Sequence, residues 1–177
     1  FRINFSHNTS GISRIISKES KLSKLDKVNE LKNKGIKRVY PAYFFDPQVH
    51  SLNNKEYWFS HIPNSKIVYC KESSGWSVFN SNKLGFRSVK NQDLDAALDL
   101  IILGDSYVEG ACVNDHDDIA SQLSLIRNEN ILNTGRGGSG PLFQLALLKE
   151  LIHFSKQNGI FFDRNVKLIW VIFTGND

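Results

Sequence analysis

The sequence predicts an α/β domain built on a parallel sheet, which follows an irregular β-rich lead-in. The runs Leu98–Leu103 and Val166–Phe173 are nearly all apolar, as in strands that are buried on both faces of a parallel sheet. From about Asp99 onward, strand-like and helix-like segments alternate in the order β-α-β-α-β. That order implies parallel strands joined by right-handed crossovers.

The elements of this domain are placed over residues 96–177. After the first strand, a helix is predicted over Asp117–Ile126 and a short strand over Asn130–Thr134. A glycine-rich loop follows, and Pro141 begins a second helix that runs to about Gln157, because proline favours the first helical position. One face of the first predicted helix is apolar and carries Ile119, Ala120, Leu123 and Ile126.

The lead-in is predicted over residues 41–95. Three of the four prolines lie in this region, and the β-type runs Lys66–Cys70 and Trp76–Phe79 flank the turn residues 71–75. This pattern predicts a hairpin with a longer loop. The lead-in has few apolar residues, so we expect it to pack on the main domain.

Residues 1–40 form a basic segment with a predicted helix over Ser17–Lys34. They carry ten Lys and Arg against three Asp and Glu, whereas residues 41–177 carry twelve against fifteen. A basic patch can bind nucleic acid or anionic lipid. No aromatic residues interleave with the charges and no nucleic-acid motif is present, so a solvated helix face is favoured and we expect no nucleic-acid partner.

The composition excludes several classes of protein. Hydrophobic residues make up 41% and charged residues 23% of the chain, which excludes a disordered tail, a fibre and a coiled-coil rod. The longest apolar run of the second half is six residues, far short of the roughly 20 that span a membrane. The sequence begins at Phe1, contains no methionine and ends directly after an apolar stretch. We therefore expect a fragment that is cut at both ends, from which an upstream signal or membrane anchor could have been lost.

Cys70 and Cys112 leave two alternatives open. No C-x-x-C or Cys/His cluster is present, so no metal site is expected. The two cysteines form one disulfide or remain as two buried thiols. A bridge would pin the lead-in beside the main domain and would indicate an oxidising compartment, which is the basis for expecting an envelope or extracytoplasmic location.

Small polar groups follow each of the three predicted strands. The first strand ends in Gly104-Asp105-Ser106, the second in Thr134–Gly138 and the third in Gly175-Asn176-Asp177. Parallel strands bring their carboxyl ends to one edge of the sheet, where ligands bind. A serine hydroxyl, a loop of backbone N–H groups and an amide side chain are the components of acyl transfer, namely a nucleophile and oxyanion donors.

In order and spacing, these blocks resemble those of the SGNH hydrolases, the GDSL-like esterase superfamily. The matching blocks are Gly104–Gly110, Asn133–Gly140 and Gly175–Asp177, and Gly85–Arg87 resembles a lead-in that often precedes such domains. The resemblance covers about residues 96–177. It implies a three-layer, flavodoxin-like parallel sheet whose C-terminal part is missing, and a serine esterase without metal or organic cofactor.

The resemblance also assigns roles to individual residues. Ser106 would be the nucleophile, and its own N–H would be one oxyanion donor. Gly138 would give a second N–H, and Asn176 a third donor through its side-chain amide. Asp105 would hold the loop. The alternatives are a helix N-cap for Ser106, plain turn geometry for Gly138 and a terminal turn residue for Asn176.

The catalytic base of that family lies in an Asp-x-x-His block, which these 177 residues do not contain. None of the five histidines has an aspartate three residues before it: His7, His50, His61, His116 and His153. His153 is expected on the solvent-exposed face of its helix. The acidic run Asp115–Asp118 around His116 could attract a cation, but a solvated helix start is favoured.

Other functions remain open at this point. Gly135-x-Gly137-x-x-Gly140 matches the dinucleotide fingerprint, although a strand and a helix precede it and Gly104-Asp105-Ser106 is left unexplained. A catalytically inactive SGNH-like module that binds carbohydrate is a second rival, and an O-acyltransferase would use the same acyl-enzyme. The expected partner is a small-molecule, lipid or acylated carbohydrate ester.

Overall fold

The chain has a mixed α/β fold, and the computed structural model describes residues 24–42, 59–72, 75–158 and 165–173. The elements in chain order are α1 (24–33), β1 (Val39–Pro41), β2 (Lys66–Glu72), β3 (Gly75–Asn80), β4 (Leu100–Leu103), α2 (Ser106–Glu109), α3 (Ile119–Arg127), β5 (Ile131–Asn133), α4 (Pro141–Asn158) and β6 (Lys167–Trp170). The strands form two three-stranded sheets. The first part of the predicted N-terminal helix and the predicted third polar block lie outside the described residues.

The second sheet is parallel, and β4 lies at its centre. The strand order is β5-β4-β6, and both neighbours run parallel to β4. Every residue of β4 is buried. The prediction of a central parallel strand that ends before Gly104 is therefore confirmed.

The two faces of β4 pack against different helices. Ile101 and Leu103 belong to an apolar cluster that includes Leu147 and Leu151 of α4. Leu100 and Ile102 belong to a second cluster that includes Ala120 of α3. This alternation follows from the period of two along a strand and keeps the carboxyl end of β4 fixed between the helices.

The lead-in forms the first sheet, in the order β1-β2-β3. β1 runs parallel to β2, and β2 pairs antiparallel with β3, which confirms the predicted hairpin. The strands reach Glu72 and Gly75, so the connection is shorter than the predicted loop over residues 71–75. Gly75 has a φ of 115°, a conformation that side chains rarely adopt, and this permits the early start of β3. Val28 of α1 packs on Val39 and Val68, so α1 belongs to this sheet's core.

Only part of the predicted apolar face of α3 is buried. Ala120, Ser121 and Ser124 are buried, whereas Ile119 is 45% and Ile126 is 79% exposed. The Ser124 hydroxyl donates to the backbone carbonyls of Lys90 and Glu129. Small residues let α3 approach its neighbours closely enough for these bonds, and of the predicted apolar residues Ala120 and Leu123 pack on the core whereas Ile119 and Ile126 do not.

β6 confirms the predicted parallel strand but is not buried on both faces. Its apolar residues are substantially exposed: Leu168 at 46%, Ile169 at 42% and Trp170 at 39%. Among the described residues β6 pairs only with β4, so it is an edge strand. No helix in the described parts of the chain is long and apolar enough to cross a membrane.

Candidate active site

Ser106 lies directly beyond the carboxyl end of β4, at the first residue of α2. Asp105 caps this short helix, because its Oδ1 accepts a hydrogen bond from the Tyr107 N–H at 3.0 Å. Its carbonyl accepts the Glu109 N–H at 3.0 Å. Asp105 is buried and Ser106 is half-buried, so the turn holds the aspartate inside and presents the serine at the edge of the sheet.

Two glycines permit the close packing of this turn. A Cβ on Gly104 would lie 2.3 Å from Cγ2 of Val108. A Cβ on Gly135, in the loop after β5, would lie 2.2 Å from the backbone nitrogen of Glu109. The loop after β5 therefore lies directly against α2, and the predicted meeting of the first two strand ends is confirmed.

Asn133, the last residue of β5, ties the two strand ends together. Its Nδ2 donates to the Val108 carbonyl at 2.8 Å, and its Oδ1 accepts the Gly135 N–H at 2.9 Å. On the far side of the loop, Gln144 of α4 donates to the Ser139 carbonyl and accepts a bond from the indole N–H of Trp170. The loop is held from both ends.

Most backbone N–H groups of the loop are already used. The N–H of Arg136 donates to the Gly104 carbonyl at 3.1 Å, that of Gly137 to Oε2 of Glu109 at 2.5 Å and that of Ser139 to the Arg136 carbonyl at 3.1 Å. Gly138 is exposed, has a φ of 76°, and its N–H donates to no acceptor within the described residues. Positive φ at the third residue of the turn 136–139 is typical of a type II turn.

The predicted site residues are thus placed as follows. Ser106 and Gly138 lie on two contacting loops at the carboxyl ends of neighbouring strands, β4 and β5. Like Gly138, Ser106 has a backbone N–H that donates to no acceptor in the described part of the chain. Asn176 lies outside the described residues. The assignment of nucleophile and oxyanion donors stays a prediction.

A buried polar cluster behind α2 was not predicted from the sequence. Glu109 accepts hydrogen bonds from the Tyr69 hydroxyl at 2.6 Å and, at its other oxygen, from Nε2 of His61 at 2.6 Å. Nη1 of Arg136 lies 2.8 Å from Nδ1 of His61 and 3.6 Å from Oε1 of Glu109. Glu109 lies within the Gly104–Gly110 block, so its place in that block could have marked it in the sequence as a residue of the site. His61 lies in the irregular lead-in, where no pattern marks it.

Burial and charge set the protonation of this cluster. Burial lowers the pKa of His61 below its usual value, and although the Glu109 carboxylate opposes this shift, the imidazole is neutral at pH 7. Burial alone would raise the pKa of Glu109, but the bond from His61 and the charge of Arg136 bring it below the usual value. Nη1 of Arg136 lies beside both ring nitrogens, 2.8 Å from Nδ1 and 2.6 Å from Nε2, and Nε2 also lies 2.6 Å from Oε1 of Glu109. Both ring nitrogens are occupied, so His61 is not free to act as a base for Ser106.

The segment 110–118, which follows α2, is held by the lead-in. Arg87 is buried, donates from Nη1 to the Gly110 carbonyl at 2.6 Å and forms an ion pair with Asp118 at 3.4 Å. Cys70 of β2 is bonded to Cys112 in a disulfide with a Cα–Cα distance of 5.3 Å. Of the two alternatives for the cysteines, the bridge is therefore the one present.

A cleft of about 580 Å³ opens beside Ser106. Its lining combines α2, the segment after it and the tip of the hairpin: Glu72, Ser106, Tyr107, Cys112, Val113 and Ile119 are among its residues. The disulfide places β2 at this position, so the lead-in contributes to the wall of the cleft.

The acidic run before α3 does not form a metal centre. In the described ranges no group of three or more His, Cys, Asp or Glu side chains could hold a metal ion. Asp118 is buried, caps α3 by accepting the Ser121 N–H at 3.1 Å and pairs with Arg87. The expected solvated helix start is therefore wrong for Asp118, because the guanidinium replaces water.

The dinucleotide fingerprint also lacks the geometry of a phosphate cradle. The N–H groups of Gly135, Arg136 and Gly137 donate to protein acceptors, and one of those acceptors is the Glu109 carboxylate, which would repel a pyrophosphate.

Comparison with family models, with curated proteins and with solved structures finds no match for this chain.

Proposed function

We propose that this protein is a serine hydrolase that cleaves a carboxylic ester through an acyl-enzyme on Ser106. The observation that carries the proposal is that one hydroxyl and two backbone N–H groups without an acceptor among the described residues lie on contacting loops: Ser106 begins a helix at the end of the central strand, and Gly138 lies on the loop packed against that helix. Such donors stabilise the oxyanion of a tetrahedral intermediate.

The reaction proceeds in two steps. Ser106 Oγ gives up its proton to a general base and attacks the ester carbonyl, so that an Oγ–C bond forms and the ester C–O bond breaks. The proton passes to the leaving alcohol. Water then attacks the acyl-enzyme, the carboxylic acid leaves, and the proton returns to Oγ. The resemblance assigns the base to an Asp-x-x-His block that these 177 residues do not contain, and His61 does not take its place.

The proposal includes a three-layer, flavodoxin-like arrangement for the parallel sheet. The packing of α3 on Leu100 and Ile102 and of α4 on Ile101 and Leu103 supports it, because alternate residues of a strand face opposite sides of a sheet. In such sheets the ligand binds beyond the carboxyl ends of the strands, where Ser106 lies, and the 580 Å³ cleft opens beside Ser106 along α2 and the segment that follows it. The disulfide supports an oxidising, extracytoplasmic location.

A fluorophosphonate probe tests the nucleophile directly on the protein expressed from its whole reading frame, so that a general base supplied outside these 177 residues is included. The Ser106 oxygen displaces fluoride from phosphorus, so that a P–O bond forms, the P–F bond breaks and a proton and fluoride enter the solvent. We expect the label on the Ser106 peptide of the wild type and none on Ser106→Ala, as measured by intact mass and peptide mapping. Ser155→Ala is the matched control, because that hydroxyl only donates to Ile152 of its own helix.

Two results would contradict the proposal. One is a wild-type chain that remains unlabelled while its far-UV and thermal unfolding signals show that it is folded. The other is a Ser106→Ala variant that takes up label as fast as Ser155→Ala.

A further inference from the structure

Glu109 links Ser106's helix to the loop that carries Gly138. It lies three residues after Ser106, and its side chain is 1% exposed. Its Oε2 accepts the N–H of Gly137 at 2.5 Å, so the carboxylate is bonded to the residue directly before Gly138. Hydrogen bonds to a carboxylate are about twice as strong as those between neutral groups, so we expect this bond to be stronger than the backbone–backbone bonds of the same loop.

This bond helps to fix the direction of the Gly138 N–H. The Gly137 N–H points inward at Glu109, and the Ser139 N–H closes the turn onto the Arg136 carbonyl. The positive φ of Gly138 is that of a type II turn, in which the peptide between Gly137 and Gly138 lies across the plane of the turn, and the bonds of its two neighbours hold the ends of that turn. Gly138 is exposed, so its N–H is available to a ligand.

Glu109 is itself held by the lead-in. The Tyr69 hydroxyl of β2 donates to the same Oε2 at 2.6 Å, and His61 donates to Oε1 at 2.6 Å. Each carboxylate oxygen therefore has a partner outside α2, and when the Tyr69 bond is removed the bond from His61 at Oε1 still opposes rotation of the carboxylate away from Gly137.

We propose that Glu109 is a positioning residue, whose carboxylate holds the 136–139 turn so that the Gly138 N–H faces the oxyanion formed at Ser106. The inference rests on the proposed function of Ser106 and extends it to the bond between Glu109 and Gly137, which holds the loop that carries Gly138. Glu109 does not touch the reacting atoms. Its removal should therefore slow the chemical step and leave reagent binding unchanged.

Three variants of the full chain separate positioning from simple stabilisation. Glu109→Leu removes every acceptor for the Gly137 N–H. Glu109→Gln keeps one oxygen that can accept it and serves as the conservative rescue. Tyr69→Phe is the matched control, since it removes a buried hydrogen bond to the same carboxylate oxygen but leaves the bond to Gly137.

The first measurement does not depend on activity. Amide hydrogen exchange of residues 135–139, measured by NMR, should be faster at Gly137 in Glu109→Leu, intermediate in Glu109→Gln and unchanged in Tyr69→Phe. Unchanged exchange at Gly137 in both Glu109 variants would overturn the inference, whatever Ser106 does. If Glu109→Leu does not fold, Glu109→Gln against Tyr69→Phe gives the same comparison.

The second measurement is the rate of fluorophosphonate labelling at Ser106, per folded molecule. We expect the maximal rate to fall by roughly 10- to 100-fold in Glu109→Leu and by a smaller factor in Glu109→Gln, with the reagent's binding constant unchanged. Tyr69→Phe should stay within about twofold of the wild type. Wild-type labelling rates in the Glu109 variants would overturn positioning while leaving Ser106 as nucleophile. An unlabelled wild type with altered exchange would instead overturn the proposed function and, with it, the catalytic part of this inference.

Discussion

The two loops that flank Ser106 are held by different forces. On the β5 side, residues 134–140 are fixed by bonds to the carbonyls of Ile102 and Gly104 and, through Gly137 and Arg136, by a buried cluster of titratable groups with Glu109 and His61 at its centre. On the other side, residues 110–118 are fixed by Arg87, which is charged at any ordinary pH, and by the covalent bond between Cys70 and Cys112. The lead-in supplies partners on both sides.

Because residues 134–140 and residues 110–118 are held by different interactions, they should respond to different solution conditions. Hydrogen bonds to a buried carboxylate and imidazole depend on their protonation, so acid should act on residues 134–140. A disulfide is indifferent to mild acid and is broken by thiol exchange, so reductant should act on residues 110–118. The two sides can therefore be perturbed independently.

Loss of Arg87 should have the largest effect. Arg87→Met leaves the buried Asp118 carboxylate without its cation and the Gly110 carbonyl without its donor. Breaking a buried ion pair on one side costs about 3–5 kcal/mol, and we expect a loss of that size in the free energy of unfolding measured with urea. Arg87→Lys should recover part of it, because an ammonium cannot reproduce the planar fork.

Arg127→Met is the matched control for Arg87. Its pair with Glu129 lies on the surface, with the arginine side chain 50% exposed, so its loss should cost less than about 1 kcal/mol. Equal losses in the two variants would show that Arg87 does not carry the segment 110–118.

Loss of the disulfide should rank second. The bridge closes a separation of 42 residues, and the chain-entropy model gives a stabilisation of roughly 3–4 kcal/mol for a loop of that size. Urea unfolding of the wild type should shift to lower denaturant when dithiothreitol is added. The double variant Cys70→Ser with Cys112→Ser should show that lower stability without reductant and no further response to it. A wild type that is unaffected by reductant, with its thiols shown to be reduced, would contradict the prediction.

The sequence carries more information about the parallel sheet than about the lead-in. β4 and the loop after β5 follow from patterns with a direct physical cause: four consecutive apolar residues need a core on both faces, and Pro141 favours a helix start. Gly104 and Gly135 stand where backbone approaches backbone, so the glycines of the motif blocks mark the contact between the two loops.

The partners of the site could not be predicted in the same way. His61 and Tyr69 are 48 and 40 residues from Glu109 in sequence, and hydrogen bonds over such distances leave no periodic trace. The buried face of α3 was misjudged because serine is a polar residue, yet the hydroxyls of Ser121 and Ser124 donate to Asp118 and to the carbonyls of Glu129 and Lys90, so both residues can be buried. β6 was expected in the interior because its residues are apolar, but its exposure depends on which strands pair with it.

The pH response of the β5 side should be the smallest of these effects and the one that separates the two sides most cleanly. Burial lowers the pKa of His61 in the folded state, whereas in the unfolded chain it returns to about 6.5. Below that value the unfolded state binds more protons than the folded state, so stability is fully present above about pH 6.5 and falls as the pH is lowered. The pKa of Glu109 is also lowered, but its contribution is lost only under more acidic conditions.

Urea unfolding at pH 6.5 and pH 5.5 measures this slope. One proton taken up on unfolding costs at most about 1.4 kcal/mol per pH unit, which bounds the expected loss. His61→Gln removes the titrating group and should flatten the slope, whereas His153→Gln, on the exposed face of α4, is the matched control and should leave it as in the wild type. The double cysteine variant should show the same pH dependence of stability as the wild type, since its substitutions affect residues 110–118 on the other side of Ser106. A slope unchanged by His61→Gln would show that the imidazole does not couple the β5 side to pH, and that the two sides differ in redox response alone.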